Sequence, residues 1–160
     1  MRTADEWFQL YGASHKNPTN KLIHWICIPV ILWATLALVQ SIPHPFPAAP
    51  LAHWGTIVYA LCLVFYARLS PALFAGMAVV GAGALVLNEL VLLTGISLAW
   101  TAATAFFVAW IFQFIGHKIE GKKPSFFQDI QFLLVGPAWL LQAVYERVGS
   151  SDPTPATSEP

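Results

Sequence analysis

Charge is what this chain has least of. Lys and Arg number 8, Asp and Glu 8, the charged share is 10% of 160 residues, and the formal net charge is zero. A polyanion needs a basic footprint to hold it, so nucleic acid is excluded as a partner. Cysteine is scarce as well. Cys27 and Cys62 both sit inside apolar runs, where a thiol behaves as a small hydrophobe, and they build no disulfide framework. There is no glycine-rich nucleotide loop, nucleophile elbow or zinc-peptidase motif. The opening stretch, MRTADEWFQLYGASHKNPTNK, is long and mixed. It lacks the short apolar core and small-residue cleavage site of a signal peptide, so the N-terminus is expected to be retained.

What is abundant is apolar. Hydrophobic residues make up 57% of the chain, too many for one small soluble core to hide, so the bulk solvent is lipid. Leu22 to Val39, Ala52 to Leu69, Ala72 to Leu93 and Ser97 to Gly116 each approach the ~20 residues that a ~30 Å hydrocarbon core demands of a helix. The breaks between them carry helix punctuation: the Pro-rich QSIPHPFPAAP, Pro71 at a helix start, and a Gly stop with a Ser cap in TGIS. Short links make these spans antiparallel neighbours. A fifth apolar piece, Ile130 to Tyr145, is shorter and carries Gly136-Pro137 at its middle, which predicts a loosened, re-entrant or interfacial helix. The fold class is therefore an all-α polytopic membrane bundle of four spans plus a short fifth helical segment.

Basic residues orient it. Arg2, Lys16 and Lys21 precede the first span, Arg68 ends the second, and Lys118, Lys122 and Lys123 follow the fourth. The loops after the first and third spans have no Lys or Arg, which puts both ends of the four-span unit in the cytoplasm. With the fifth segment not crossing, Arg147 joins them. Residues 1–21 then form a cytoplasmic N-terminal segment, 22–146 the bundle, and 147–160, rich in Pro, Ser and Thr, a disordered tail.

Polar side chains cluster at the cytoplasmic ends. In HKNPTNKLIH, Asn17 reads as an N-cap and Pro18 as the first helical position, which sets Asn20 and His24 on one face and leaves His15 on a non-helical lead-in, free to fold back over it. In WIFQFIGHKIE, Gln113, His117 and Glu120 share one stripe. An even number of crossings returns both groups to the same membrane face, so His15, His24, His117 and Glu120 are expected to meet. Imidazoles in this number suit a first-row metal, Fe(II) or zinc by ligand type, with positions left for oxygen or substrate. Asn20 and Gln113 would orient ligands, bind a carboxylate, or bond between helices. His44 and His53 fall on the opposite side and are assigned to capping or the interface. Asn88 and Glu89 lie near the far end of the third span, where Glu89 is either functional or solvated. Trp7, Trp25, Trp54 and Trp100 read as interface anchors or bundle packing, and Gly76, Gly81 and Gly83 as points of close helix approach.

The pattern His15-x4-Asn20-x3-His24-x4-Pro29, with Trp110-x2-Gln113-x2-Gly116-His117-x2-Glu120 and the later Gly136-Pro137 and Glu146, resembles the small multi-pass family of the fungal 2-hydroxy fatty acid dioxygenase. The resemblance covers Tyr11 to Glu146; Cys27 departs from it where a Gly is expected. It implies Fe(2+)-dependent α-oxidation, in which a 2-hydroxy fatty acid and O₂ give CO₂ and a fatty acid one carbon shorter. It also implies His15, His24 and His117 as iron ligands, Glu120 as a candidate extra ligand, and Asn20, Gln113 and Glu146 as supporting or substrate-binding groups. In fungi the family acts at the endoplasmic reticulum; the compact loops here read as a bacterial inner-membrane protein surrounded by membrane lipid. The competing reading is a non-catalytic scaffold or small transporter-like bundle with a structural metal.

Overall fold

A computed structural model describes residues 2–43, 53–124 and 131–149. Among the described residues six helices follow one another: α1 (Ala4–Gly12), α2 (Pro18–Gln40), α3 (Trp54–Leu69), α4 (Pro71–Leu93), α5 (Leu98–Glu120) and α6 (Phe132–Arg147). Among the described residues there is no strand.

Local chemistry sets the boundaries. The Asn17 side chain accepts from the Thr19 and Asn20 amides ahead of Pro18, so α2 starts where the sequence places it. Ser70 caps α4 through the Ala72 and Leu73 amides, and Ser97 caps α5. At the other end of α5, Gly121 takes the left-handed conformation (φ 73°) and its amide returns to His117 and Lys118 carbonyls. The first helix is the element the sequence reading left out. Its signal was present: Thr3 and Glu6 form a capping box, with the Thr3 amide donating to Glu6 Oε2 at 2.8 Å. The 1–21 segment is therefore largely helical, and its last residues already belong to α2.

Three helices, α2, α4 and α5, have 23 residues each, about 35 Å of rise, and are apolar enough to cross a membrane. The expected second span is shorter. Ala52 lies outside the described residues, and α3 is a largely apolar helix of 16 residues from Trp54, about 24 Å. Large outward faces, including Leu61, Val79, Leu93, Trp100 and Phe107, are exposed and suit a lipid surround.

The helices pack around α2. It runs along α5, where Ala34, Ala37 and Ala102 are wholly buried, and small residues let the two backbones approach. It also touches α3, α4 and α6. The last of these passes through Gly136-Pro137 as one helix; neighbouring helices can compensate the missing donor. Tyr66 Oη, near the end of α3, donates to Leu134 O at 2.9 Å, and Tyr145 Oη donates to Ala72 O, at the start of α4, at 2.9 Å. Those two bonds lay α6 over the end of the bundle where α3 stops and α4 begins. Trp7 of α1 meets Phe132 edge-on at 5.2 Å and is core, not an interface anchor. Trp25 carries the Arg147 guanidinium at 4.7 Å.

At the opposite end the expected bystanders are structural. His53 caps α3, accepting from the Thr56 amide. Asn88 is buried and donates to Gln40 Oε1 at 2.8 Å, while Gln40 in turn donates to the exposed Glu89 at 2.7 Å, tying α2 to α4. His44 and residues 150–160 of the expected tail lie outside the described residues.

Of the three α4 glycines, two are close-approach points. A β-carbon on Gly81 would overlap the Tyr59 ring, and one on Gly76 would overlap Tyr145 and Leu141; at Gly83 nothing lies within 4 Å. Gly81→Ala should therefore lose about 1–3 kcal/mol through overpacking. Gly83→Ala should be neutral or gain up to about 1 kcal/mol from helix propensity. Thermal unfolding of both in detergent checks this.

Candidate metal centre

Three imidazoles converge where α2 begins, α5 ends and the α1–α2 link folds inward. Ring centroids are 4.3 Å apart for His15 and His24, 4.9 Å for His24 and His117, and 5.1 Å for His15 and His117, all edge-on. One ring nitrogen from each lies within 4.8 Å of the other two, and all three residues are at least 96% buried.

The second nitrogens explain the aim. His15 Nδ1 lies 2.6 Å from Tyr11 O and His24 Nδ1 lies 2.8 Å from Asn20 O, each four residues earlier in the chain. A carbonyl only accepts, so Nδ1 carries the proton in both rings and Nε2 keeps its lone pair. His15 Nε2 and His117 Nδ1 are buried with no hydrogen-bond partner among the described residues. Burial, the largest influence, holds the His15 pKa below the usual imidazole value, against the opposing pull of the Tyr11 carbonyl and Glu120. The ring is neutral at pH 7 and needs no deprotonation to act as a ligand. Unpaired buried nitrogens facing one another are costly by themselves and suit a divalent first-row cation. This donor set fits a metal.

Glu120 meets the link between α1 and α2. Its Oε1 accepts from the Lys16 amide at 2.9 Å, and its Oε2 accepts from the Asn17 amide at 2.8 Å and from Asn20 Nδ2 at 3.1 Å. Both carboxylate oxygens are thus engaged by the segment carrying His15, and neither belongs to the group of gathered ligand atoms. Asn20 Nδ2 also reaches Ser14 O, and Lys122 Nζ donates to Ala13 O at 2.7 Å. The link between α1 and α2 is thereby pinned to the end of α5. Gly116 makes room: a β-carbon there would overlap Asn20 Oδ1, so only glycine lets Asn20, fully buried, lie against α5.

A cavity of about 350 Å³ leads away from the rings. On α2 its wall runs from His24 to Leu36, about 18 Å along the helix. Among the described residues it includes no Lys, Arg, Asp or Glu. Gln113 lines it, is nine-tenths buried, and its side chain makes no hydrogen bond to the described residues. Gly136 and Pro137 form part of its wall. Glu146 is exposed at the end of α6, accepting a long 3.4 Å bond from Gln142, and is not brought to the rings.

The residue the sequence reading missed is Tyr11. Its ring stacks on His15 at 4.1 Å and 17°, its carbonyl anchors the same imidazole, and it lines the cavity. Burial raises its pKa, so the phenol stays protonated. The spacing that pairs Asn20 with His24 also pairs Tyr11 with His15, and could have found it. Trp139 completes the aromatic setting, tilted against both rings at 5.4 and 5.7 Å.

Comparison with known proteins places the chain in a family. A family model described as "Mpo1-like: 2-hydroxy-palmitic acid dioxygenase Mpo1-like" matches residues 1–148. The chain is similar to the 2-hydroxy-palmitic acid dioxygenase MPO1 of Saccharomyces cerevisiae, 26% identical over 154 residues that cover 93% of this chain and 83% of that protein. No solved structure matches. With nearly its whole described length matched, the chain belongs to the Mpo1-like family.

Proposed function

We propose that this protein is an Fe(II)-dependent dioxygenase that converts a 2-hydroxy fatty acid and O₂ into CO₂, water and the fatty acid one carbon shorter. The observation that carries the reading is the convergence of three buried imidazoles at one end of an apolar cavity, in a chain akin to a 2-hydroxy-palmitic acid dioxygenase. The reaction balances on those two substrates alone, so no external reductant is needed.

His15, His24 and His117 would hold the iron. When bound, the iron supplies a redox centre that activates O₂ and open positions for the oxygens of a 2-hydroxy acid. The chain's own residues do the rest. The Tyr11 and Asn20 carbonyls fix two rings in the tautomer that leaves Nε2 free. Glu120 holds the His15 segment against α5 and acts as a clamp in place of a ligand. Gln113, one turn before His117 and open to the cavity, would bond the acid headgroup. The apolar wall takes the acyl tail and keeps water from the rings. Burial at about 0.8 kcal/mol per CH₂ gives most of the affinity and little discrimination by one carbon, so selectivity rests on the 2-hydroxyl.

The membrane setting follows the same logic. Every Lys and Arg of the chain belongs to the N-terminal segment, the end of α3, the end of α5 and its following turn, or the end of α6, which supports a cytoplasmic position for the rings. In this reading α2, α3, α4 and α5 cross, and α6 caps the cytoplasmic end without crossing.

The test uses detergent-purified protein, its iron content and an oxygen electrode. With 2-hydroxypalmitic acid and no added reductant, O₂ uptake should match CO₂ release mole for mole, and palmitic acid should bind without uptake. His117→Ala should abolish uptake; iron-independent uptake, or none in the iron-loaded protein, refutes the assignment. Glu120→Ala should weaken metal binding about 10- to 100-fold. If Glu120 is a clamp, the same variant also speeds hydrogen exchange of the Lys16 and Asn17 amides in metal-free protein, which loss of a ligand alone would not do.

A further inference from the structure

The chain has 4 tyrosines, and they divide unequally. Tyr59 donates its hydroxyl to Met77 O at 2.6 Å, Tyr66 to Leu134 O at 2.9 Å, and Tyr145 to Ala72 O at 2.9 Å. Each uses its polar tip to join two helices, as a buried phenol ordinarily does. Tyr11 does not. It is 6% exposed, yet its hydroxyl has no hydrogen-bond partner among the described residues. The ring lines the cavity beside the imidazoles, and a β-carbon added to Gly136, another residue of that wall, would stand 3.0 Å from the hydroxyl.

The cavity it borders presents a problem of charge. An acid held with its carboxylate near the rings meets no Lys or Arg in the wall. Neutral donors must satisfy whichever carboxylate oxygens are not otherwise bound, and an unsatisfied buried anion is strongly disfavoured. On the α5 side the open group is the Gln113 amide; on the α1 side it is the Tyr11 hydroxyl. The backbone and side chain of Tyr11 have separable tasks, because the carbonyl anchors His15 and the ring stacks on it, while the hydroxyl serves neither contact.

We propose that Tyr11 donates its phenolic hydrogen to a carboxylate oxygen of the fatty acid in the cavity, and so positions the headgroup and selects acids over uncharged amphiphiles of the same length. The inference rests on the cavity being the acyl site of the proposed dioxygenase. It is independent of whether O₂ chemistry follows.

Tyr11→Phe removes one oxygen and keeps both the stacking ring and the carbonyl. Binding of palmitic acid and of palmityl alcohol is measured by equilibrium dialysis on metal-free and iron-loaded protein, alongside iron content and melting temperature. A charge-assisted hydrogen bond predicts that acid affinity falls about ten- to a hundred-fold while the alcohol changes by less than about twofold. Iron content and melting temperature should not move. Acid affinity within about twofold of the parent overturns the inference, since a hydrogen bond to a charged group is worth more than that. Iron content falling together with affinity also overturns it, because the hydroxyl would then be supporting the His15 ring. If Tyr11→Phe does not fold, Gly136→Ala crowds the hydroxyl and should weaken acid binding selectively; an unchanged preference of acid over alcohol refutes the proposal. Acid selectivity that depends on Tyr11, without O₂ uptake on 2-hydroxypalmitic acid, refutes the dioxygenase reading alone. Turnover with undiminished acid binding in Tyr11→Phe refutes this inference alone.

Discussion

The structure depends on the contact between the start of α2 and the end of α5, where Asn20 lies in the space left by Gly116 and Glu120 gathers the amides of Lys16 and Asn17. The carboxylate oxygens accept three hydrogen bonds, two of them from a backbone that would otherwise be an unpaired helix start. Hydrogen bonds to a charged acceptor are the stronger kind. The bond partners are separated by 100 residues or more in sequence, so the contact closes most of the chain upon itself. The two imidazoles of the N-terminal side meet the third because this junction brings their backbones together.

The cavity follows from the same arrangement. With α2 committed to α5 along one side and to α3 along another, α6 is laid over the end, and the space enclosed between them has mainly apolar walls, with two of the three rings at one end. Such a separation suits any amphiphile, since a low dielectric strengthens polar contacts at the head while the tail gains only by leaving water.

Much of this was legible in the residues. Asn17-Pro18 announces a helix start, the four-residue steps from Asn20 to His24 and from Gln113 to His117 set the polar faces, and the distribution of Lys and Arg returns both faces to one side. Periodicity did not reveal where a carboxylate finds its partners. Glu120 shares the stripe of His117, which suggested a ligand, but its nearest donors are amides of a turn far away in sequence. Nor could the sequence pattern show that Trp7 would be enclosed by α6, since that depends on how the last helix is laid down. Alternation of polar and apolar residues reports which face is wet; it does not report which segment covers it.

Two of the gathered rings lie within the first two dozen residues, while the third comes only in the last turn of α5. During synthesis the N-terminal pair therefore emerges long before its partner. No three-nitrogen centre exists until three further helices, α3, α4 and α5, have been made and the last of them has come to rest beside α2. Assembly therefore has an intrinsic order, in which α5 must dock on α2 before the three rings can share one cation.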